Sequence, residues 1–149
     1  MLSKATEYAI RALVYIAIRN AEGKRPGFKE IAQKIDSPEQ FTAKILQTLA
    51  RKGLINSAKG RGGGFFFKEN SGELPLYSVV NTLEGDWSFS KCGFGLKSCD
   101  SQNPCPLHHE YLPIRQGLYN LLNKETIQSL AVKILGNNAI LTRLNLAKI

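Results

Sequence analysis

The sequence has no apolar run near the ~20 residues that span a bilayer, and its N-terminus lacks a secretory signal's charged-then-apolar layout. The expectation is a cytoplasmic protein without a membrane segment. Its three cysteines are an odd number in a compartment that keeps thiols reduced, which argues against a disulfide framework. No Ser/His/Asp arrangement, paired-carboxylate motif or nucleotide-binding fingerprint is visible, so an enzyme is not expected. What is present suits a packed globular chain: 149 residues, 43% hydrophobic and 21% charged, enough for one domain or a small domain with a long appendage.

Charge is unevenly placed. Residues 1–70 hold 13 Lys/Arg against 6 Asp/Glu, whereas residues 71–149 hold 7 against 6. A basic half joined to a near-neutral half is the footprint of a nucleic-acid-binding unit attached to something else. Between Leu2 and Asn20, the residues Leu2, Ala5, Ala9, Leu13, Ile16 and Ala17 recur at helical spacing. After the turn "EGKRPG", residues 28–35 read as a short helix with Ile31, Ala32 and Ile35 inward.

The segment "DSPEQFTAKILQTLARKG" reads as a second, capped helix. Ser37 is the expected N-cap, Pro38 the first helical residue, Gln40 the partner in a capping box, and Gly53 the stop. Phe41, Ile45, Leu46 and Leu49 form its apolar face, leaving Gln40, Ala43, Lys44, Gln47 and Arg51 outward. Two helices across a tight turn match a helix-turn-helix. Gln40 and Lys44, with Pro38 and Ala43, are then expected at the major groove, Gln40 on adenine and Lys44 on guanine or a phosphate. The competing role for Gln40 is the capping box alone.

"LINSAKGRGGGFFF" reads as two short strands around a glycine-rich tip. Leu54 and Ile55 begin one strand, Phe65–Phe67 form the other, and Lys59 and Arg61 project as a basic wing toward the minor groove or backbone. Residues 74–85 predict a helix ending at Gly85 with Leu76, Val79, Val80 and Leu83 inward. Next comes "KCGFGLKSCDSQNPCPLHH", holding every cysteine and both histidines. Thiolates in such a loop suit an iron–sulfur cluster or zinc, or are three unrelated thiols. Zinc fits less well, because short-loop zinc sites favour ligand pairs two to four residues apart.

Beyond the loop, Leu107, Tyr111, Ile114, Leu118 and Leu121 alternate steps of four and three, the seam of a coiled coil with a second copy of the same helix. Pro113 falls inside that pattern, so the helix is expected to kink there or to start later. Thr126 is the expected cap of a helix over 127–135. The organisation read from the sequence is a DNA-binding domain (1–85), a cysteine-rich loop (86–105), a dimerisation helix with a following helix (106–135) and a tail (136–149).

"KATEYAIRAL", "FTAKILQTLARKGLINSAKGRGGGFFF" and the three-cysteine loop, in that order, resemble the bacterial winged-helix regulators typified by IscR, NsrR and CymR, over roughly residues 1–135. The resemblance implies a mainly α fold with a small β-hairpin wing, a winged helix-turn-helix and a long dimerisation helix. It implies a homodimeric transcription factor on double-stranded DNA. Cys92, Cys99 and Cys105 match the family's cluster cysteines, His108 the fourth ligand of IscR-like members, and Glu7 the carboxylate that NsrR-like members donate across the dimer. Lys59 matches the basic wing residue. The implied cofactor is an iron–sulfur cluster, two-iron two-sulfur ahead of four-iron four-sulfur, that senses cluster supply, nitric oxide or redox state. The alternative is a cluster-free regulator controlled by a protein partner or by direct cysteine oxidation.

Overall fold

The computed structural model describes residues 2–85 and 91–143; residues 86–90 at the start of the cysteine segment and 144–149 of the tail lie outside the described residues. Six helices and one hairpin follow in the order α1 (Lys4–Ala21), α2 (Phe28–Ile35), α3 (Glu39–Arg51), β1 (Asn56–Ala58), β2 (Gly64–Phe66), α4 (Leu76–Glu84), α5 (His108–Lys124) and α6 (Ile127–Leu135). The fold is mainly helical with a two-stranded antiparallel hairpin.

Helix α1 starts at Lys4 rather than Leu2, because the Ser3 hydroxyl accepts the Thr6 N–H at 3.2 Å and caps the first turn. Ala9, Leu13 and Ile16 are completely enclosed. Helix α2 is pinned to α1 through Glu30, whose Oε1 accepts from the Tyr15 hydroxyl at 2.7 Å and from Arg19 Nε at 3.1 Å. Burial, and then that carboxylate, push the Tyr15 hydroxyl well above its ordinary pKa.

The turn from α2 to α3 passes through Asp36 in the left-handed region (φ 53°). The expected capping box on Ser37 does not form. Pro38, extended at ψ 130°, is itself the N-cap, and its carbonyl starts the ladder by accepting Thr42 N–H at 2.9 Å. Ser37 instead meets the Thr42 hydroxyl. Proline offers no side-chain acceptor, so the boundary shifts one residue and Gln40 becomes the second helical residue, exposed. Ile45, Leu46 and Leu49 are buried as expected, but Phe41 is 38% exposed and rests edge-on against Tyr8, centroids 5.7 Å apart. Gly53, at φ 82°, stops the helix as expected.

The hairpin pairs Asn56 with Phe66, Ser57 with Phe65 and Ala58 with Gly64. It begins two residues later than expected, because Ile55 is drawn into the core (1% exposed) and Leu54 is half-buried. Phe67 lies just past β2. The hairpin is tied to the end of α1: Asn20 Nδ2 donates to the Phe65 carbonyl (3.3 Å) and Asn20 Oδ1 accepts the Phe67 N–H (2.9 Å). Phe65 N–H also donates to the Pro26 carbonyl at 2.9 Å. At Gly64 (φ 141°) a Cβ would stand 2.2 Å from the Arg25 carbonyl oxygen, so only glycine lets β2 lie this close to the α1–α2 turn.

Helix α4 buries Leu76, Val79 and Val80, with Leu83 half-buried. Helix α5 runs through Pro113 without starting later. The chain then returns beside the start of α4: Ile127 N–H donates to the Leu74 carbonyl (2.8 Å), Leu76 N–H to the Glu125 carbonyl (3.0 Å), and Leu74 N–H to Gln128 Oε1 (2.8 Å). Thr126 caps α6 as expected, in a reciprocal box with Ser129. Ile127 and Ala131 are buried, and α6 packs against α1.

One carboxylate joins the far end of α4 to α1. Glu84 Oε1 accepts from Ser3 N–H and from the Thr6 hydroxyl, both at 2.7 Å. Burial pushes the Glu84 carboxyl up, but these donors and nearby Lys91 outweigh it and hold its pKa below the ordinary value. Its contribution to stability is therefore present above the unfolded pKa of about 4.3 and is lost as pH falls through the lower folded value. Glu84→Gln should lower stability at neutral pH by about 1 kcal/mol, the scale of a partly screened charge-assisted hydrogen bond. Denaturant unfolding across acid pH checks this: the gap between variant and wild type should close as the carboxyl protonates. A gap independent of pH would refute this role of Glu84.

Candidate functional site

Two surfaces carry chemistry. On the first, the N-cap Pro38 and the α3 residues Gln40 and Lys44 are exposed, with Ala43 half-buried beside them. Gln47 and Arg51 continue the exposed face. At the hairpin tip Lys59 and Arg61 are exposed on either side of Gly60 (φ 88°), and Gly62 (φ 75°) follows. Lys44, Lys59 and Arg61 enter no ion pair with other described residues. Hydrated cations beside an exposed helix face match the electrostatics of a phosphate backbone.

The second surface is the cysteine loop, seated on α5. Arg115, 7% exposed, donates from Nη1 to the Lys91 carbonyl at 2.7 Å. Gly93 lies under the Tyr111 ring so closely that a Cβ would stand 2.5 Å from it. Asp100 accepts from Gln102 N–H (2.8 Å) and Asn103 Nδ2 (3.0 Å), and the Asn103 amide and Gln102 N–H hold its carboxyl below the ordinary range.

All three cysteines are free and half-buried. Cys99 Sγ lies 3.4 Å from Nδ1 of His108, which is 4% exposed at the first turn of α5. The Cys105 thiol stands near enough to Cys92 to favour its thiolate. Burial pushes the Cys92 thiol up, but the backbone N–H groups of Leu96 and Phe94 and the Cys105 thiol outweigh it, so Cys92 ionises below its ordinary range. The His108 backbone N–H donates to the Cys105 carbonyl at 3.0 Å, which holds Cys105 at the end of α5 where Cys99 meets the His108 ring. His109 points to solvent, its ring edge-on to that of His108 at 5.1 Å.

Glu7 stands apart on the exposed first turn of α1, in an ion pair with Lys4 at 3.1 Å. Among the described residues no group of three or more His, Cys, Asp or Glu converges as a metal site within one chain. Asn20, Glu84 and Arg115, which fix the wing, the α1 start and the loop, carry no motif in the sequence. Their signal is tertiary.

These features can be set beside known proteins. Residues 2–133 match the family model Rrf2, described as an iron-dependent transcriptional regulator. The protein aau3 of Rhizobium meliloti (strain 1021) is 32% identical over 130 residues, 87% of this chain and 83% of its own. The HTH-type transcriptional regulator IscR of Pectobacterium atrosepticum is 23% identical over 129 residues, 87% of this chain and 77% of its own. The structure of CymR, the global cysteine regulator of B. subtilis, shares the fold with a TM-score of 0.70 at 21% identity, covering 89% of this chain and 96% of that one. The winged helix-turn-helix expected from the sequence is thus the architecture of α1 to β2. This chain belongs to the Rrf2 family of DNA-binding transcriptional regulators, which are not enzymes.

Proposed function

We propose that this regulator acts in the cytoplasm as a homodimer on duplex DNA, with its affinity set by an iron–sulfur cluster held at the cysteine loop. The observation that carries the reading is the donor set at the start of α5: three free thiols and one buried imidazole, arranged as Cys92 beside Cys105 and Cys99 beside His108. This set fits a two-iron two-sulfur cluster, which takes two protein ligands at each iron and accepts imidazole in place of thiolate. Cys92, Cys99 and Cys105 would hold it, with His108 as the fourth ligand and Glu7 from a second copy as the rival. When bound, such a cluster supplies a centre sensitive to oxidation, nitric oxide and iron supply.

The protein's part is to transmit that state. Helix α5 begins at His108, and its Tyr119 packs edge-on against Tyr77 of α4, centroids 5.3 Å apart. The other end of α4 holds the start of α1 through Glu84, and α1 packs on α3. A change in the ligand set therefore has a packed route to the reading helix, and it shifts DNA affinity by the difference in energy between two arrangements of that route. Gln40 and Lys44 read bases while Lys59 and Arg61 hold phosphates.

Pairing of two copies rests on α5. Leu107, Ile114 and Leu121, seven residues apart, are 45%, 62% and 51% exposed, and Tyr111 and Leu118 between them are half-buried. Such a stripe is self-complementary across a two-fold axis. A second reading of the thiols rests on Cys105 standing near enough to Cys92 to favour its thiolate. A peroxide could join them as a disulfide in a cluster-free regulator, each sulfur losing a proton and the pair two electrons.

Three measurements test the reading. Protein purified or reconstituted without oxygen should be brown, with visible absorption and acid-labile sulfide, and Cys92→Ala, Cys99→Ala or Cys105→Ala should abolish the colour. His108→Ala should shorten cluster lifetime and alter the spectrum more than Glu7→Ala; the reverse order would make the carboxylate the ligand. A colourless anaerobic protein that loses two titratable thiols to peroxide would instead establish the cluster-free reading. Second, Lys59→Ala with Arg61→Ala should weaken duplex binding and flatten its salt dependence by about one unit of slope per lost phosphate contact. An unaltered slope would remove the wing from the interface. Third, Ile114→Asp should shift the sedimenting species from dimer to monomer; a dimer of undiminished affinity would place the interface elsewhere.

A further inference from the structure

The basic character of the wing continues past its tip. The α1–α2 turn carries Lys24 and Arg25, both exposed, and Lys68 follows the second strand, also exposed. With Phe66 these residues line an open groove beside the hairpin. Two features fix its geometry. Arg25 lies over the Phe66 ring, its guanidinium carbon 3.8 Å from the centroid, so the exposed cation is anchored against the hairpin. The backbone beneath it is clamped, since Asn20 Nδ2 donates to the Lys24 carbonyl at 2.9 Å and the Arg25 carbonyl abuts Gly64. None of the three cations pairs with a described carboxylate. Glu22, the nearest acid in the turn, is taken by Arg19, and Glu69 is the one carboxylate on the groove.

We propose that Lys24, Arg25 and Lys68 form a second phosphate-binding platform, which grips the DNA backbone flanking the stretch contacted by α3 and the wing tip. A guanidinium stacked on an aromatic ring keeps its edge donors directed outward, the geometry that suits the paired oxygens of a phosphodiester. Less side-chain entropy is lost on binding when the cation is already held. Lys68 follows the second strand, and Lys24 and Arg25 lie on the turn bonded to it, so they add basic charge to the hairpin that carries Lys59 and Arg61 at its tip. The platform carries no hydrogen-bonding code for bases and adds affinity rather than sequence preference. This inference rests on the DNA-binding reading of α3 and the wing.

The test is a salt titration of binding to a fluorescent 30-base-pair duplex of arbitrary sequence, with the full chain. Lys24→Gln with Lys68→Gln, which leaves Arg25 on Phe66, should reduce the slope of log affinity against log salt by roughly two units per protomer. Adding Arg25→Gln should remove about one more. Glu69→Gln should raise affinity several-fold at low salt, a gain that damage to the fold would not produce. Wild type binding with its slope unchanged in the Lys24/Lys68 variant, while the Lys59/Arg61 variant loses slope, would overturn the platform and leave the wing intact. Failure of the wild-type protein to bind any duplex would overturn the DNA-binding reading and the platform together.

Discussion

Every element of the DNA-binding half is arranged around the enclosure of one helix. Of the 18 residues of α1, only Lys4, Glu7 and Ala21 are exposed. A helix apolar on nearly all sides cannot be satisfied by one neighbour, and α2, α3, α4, α6 and the second strand all pack on it. Each fully enclosed Leu, Ile or Val contributes roughly 1.5–3 kcal/mol of transfer energy, so the wrapping elements share a large common reward. Because α3 and the hairpin are both fitted to α1, the reading helix and the wing keep a fixed relation to each other. The core sets their geometry, and the exposed side chains set what they bind.

The cysteine loop obeys a different rule. Residues 91–107 contain no helix or strand, and the loop is positioned by a few contacts with α5: a carbonyl held by Arg115, a glycine under Tyr111 and the Cys99–His108 pair. Its apolar side chains are largely outside, with Phe94 55% and Leu96 51% exposed. Few enclosed contacts make a segment sensitive to whatever binds it, because the bound group supplies the order that packing does not. The helical unit is held by a shared core, whereas the cysteine loop rests on α5 through a few polar and ring contacts.

Much of the fold was legible because local and tertiary demands agree. Periodicity located α1 to α5 and the Thr126 cap located α6, and the stops at Gly53 and Gly85 match the observed boundaries. Legibility failed where they compete. Ser37 had the pattern of a capping box, but the extended proline after it took the cap and sent the serine to Thr42. Phe41 had the period of a core residue, yet the start of α3 overhangs the core and Tyr8 takes the ring instead. Pro113 threatened the helix, but it removes one N–H donor from a ladder that the rest of α5 sustains. At the cysteine loop, spacing named the donors without saying which would meet, because an irregular loop has no period. The pairing of Cys99 with His108 depends on where α5 begins.

The return of the chain to Leu74 has a kinetic side. Leu74 N–H bonds to Gln128 across a separation of 54 residues, and the backbone bonds beside it close the whole excursion through α4, the cysteine loop and α5. Closing a loop of that length costs about 3.5 kcal/mol in chain entropy by logarithmic scaling, before any contact compensates. The α1–α2–α3 unit, built from short-range contacts, carries no such barrier. The order of assembly that follows is a reader formed first, with α6 sealing it once the excursion has closed. While the nascent chain is being made, the DNA-contacting surface would take shape before the thiols find their partners.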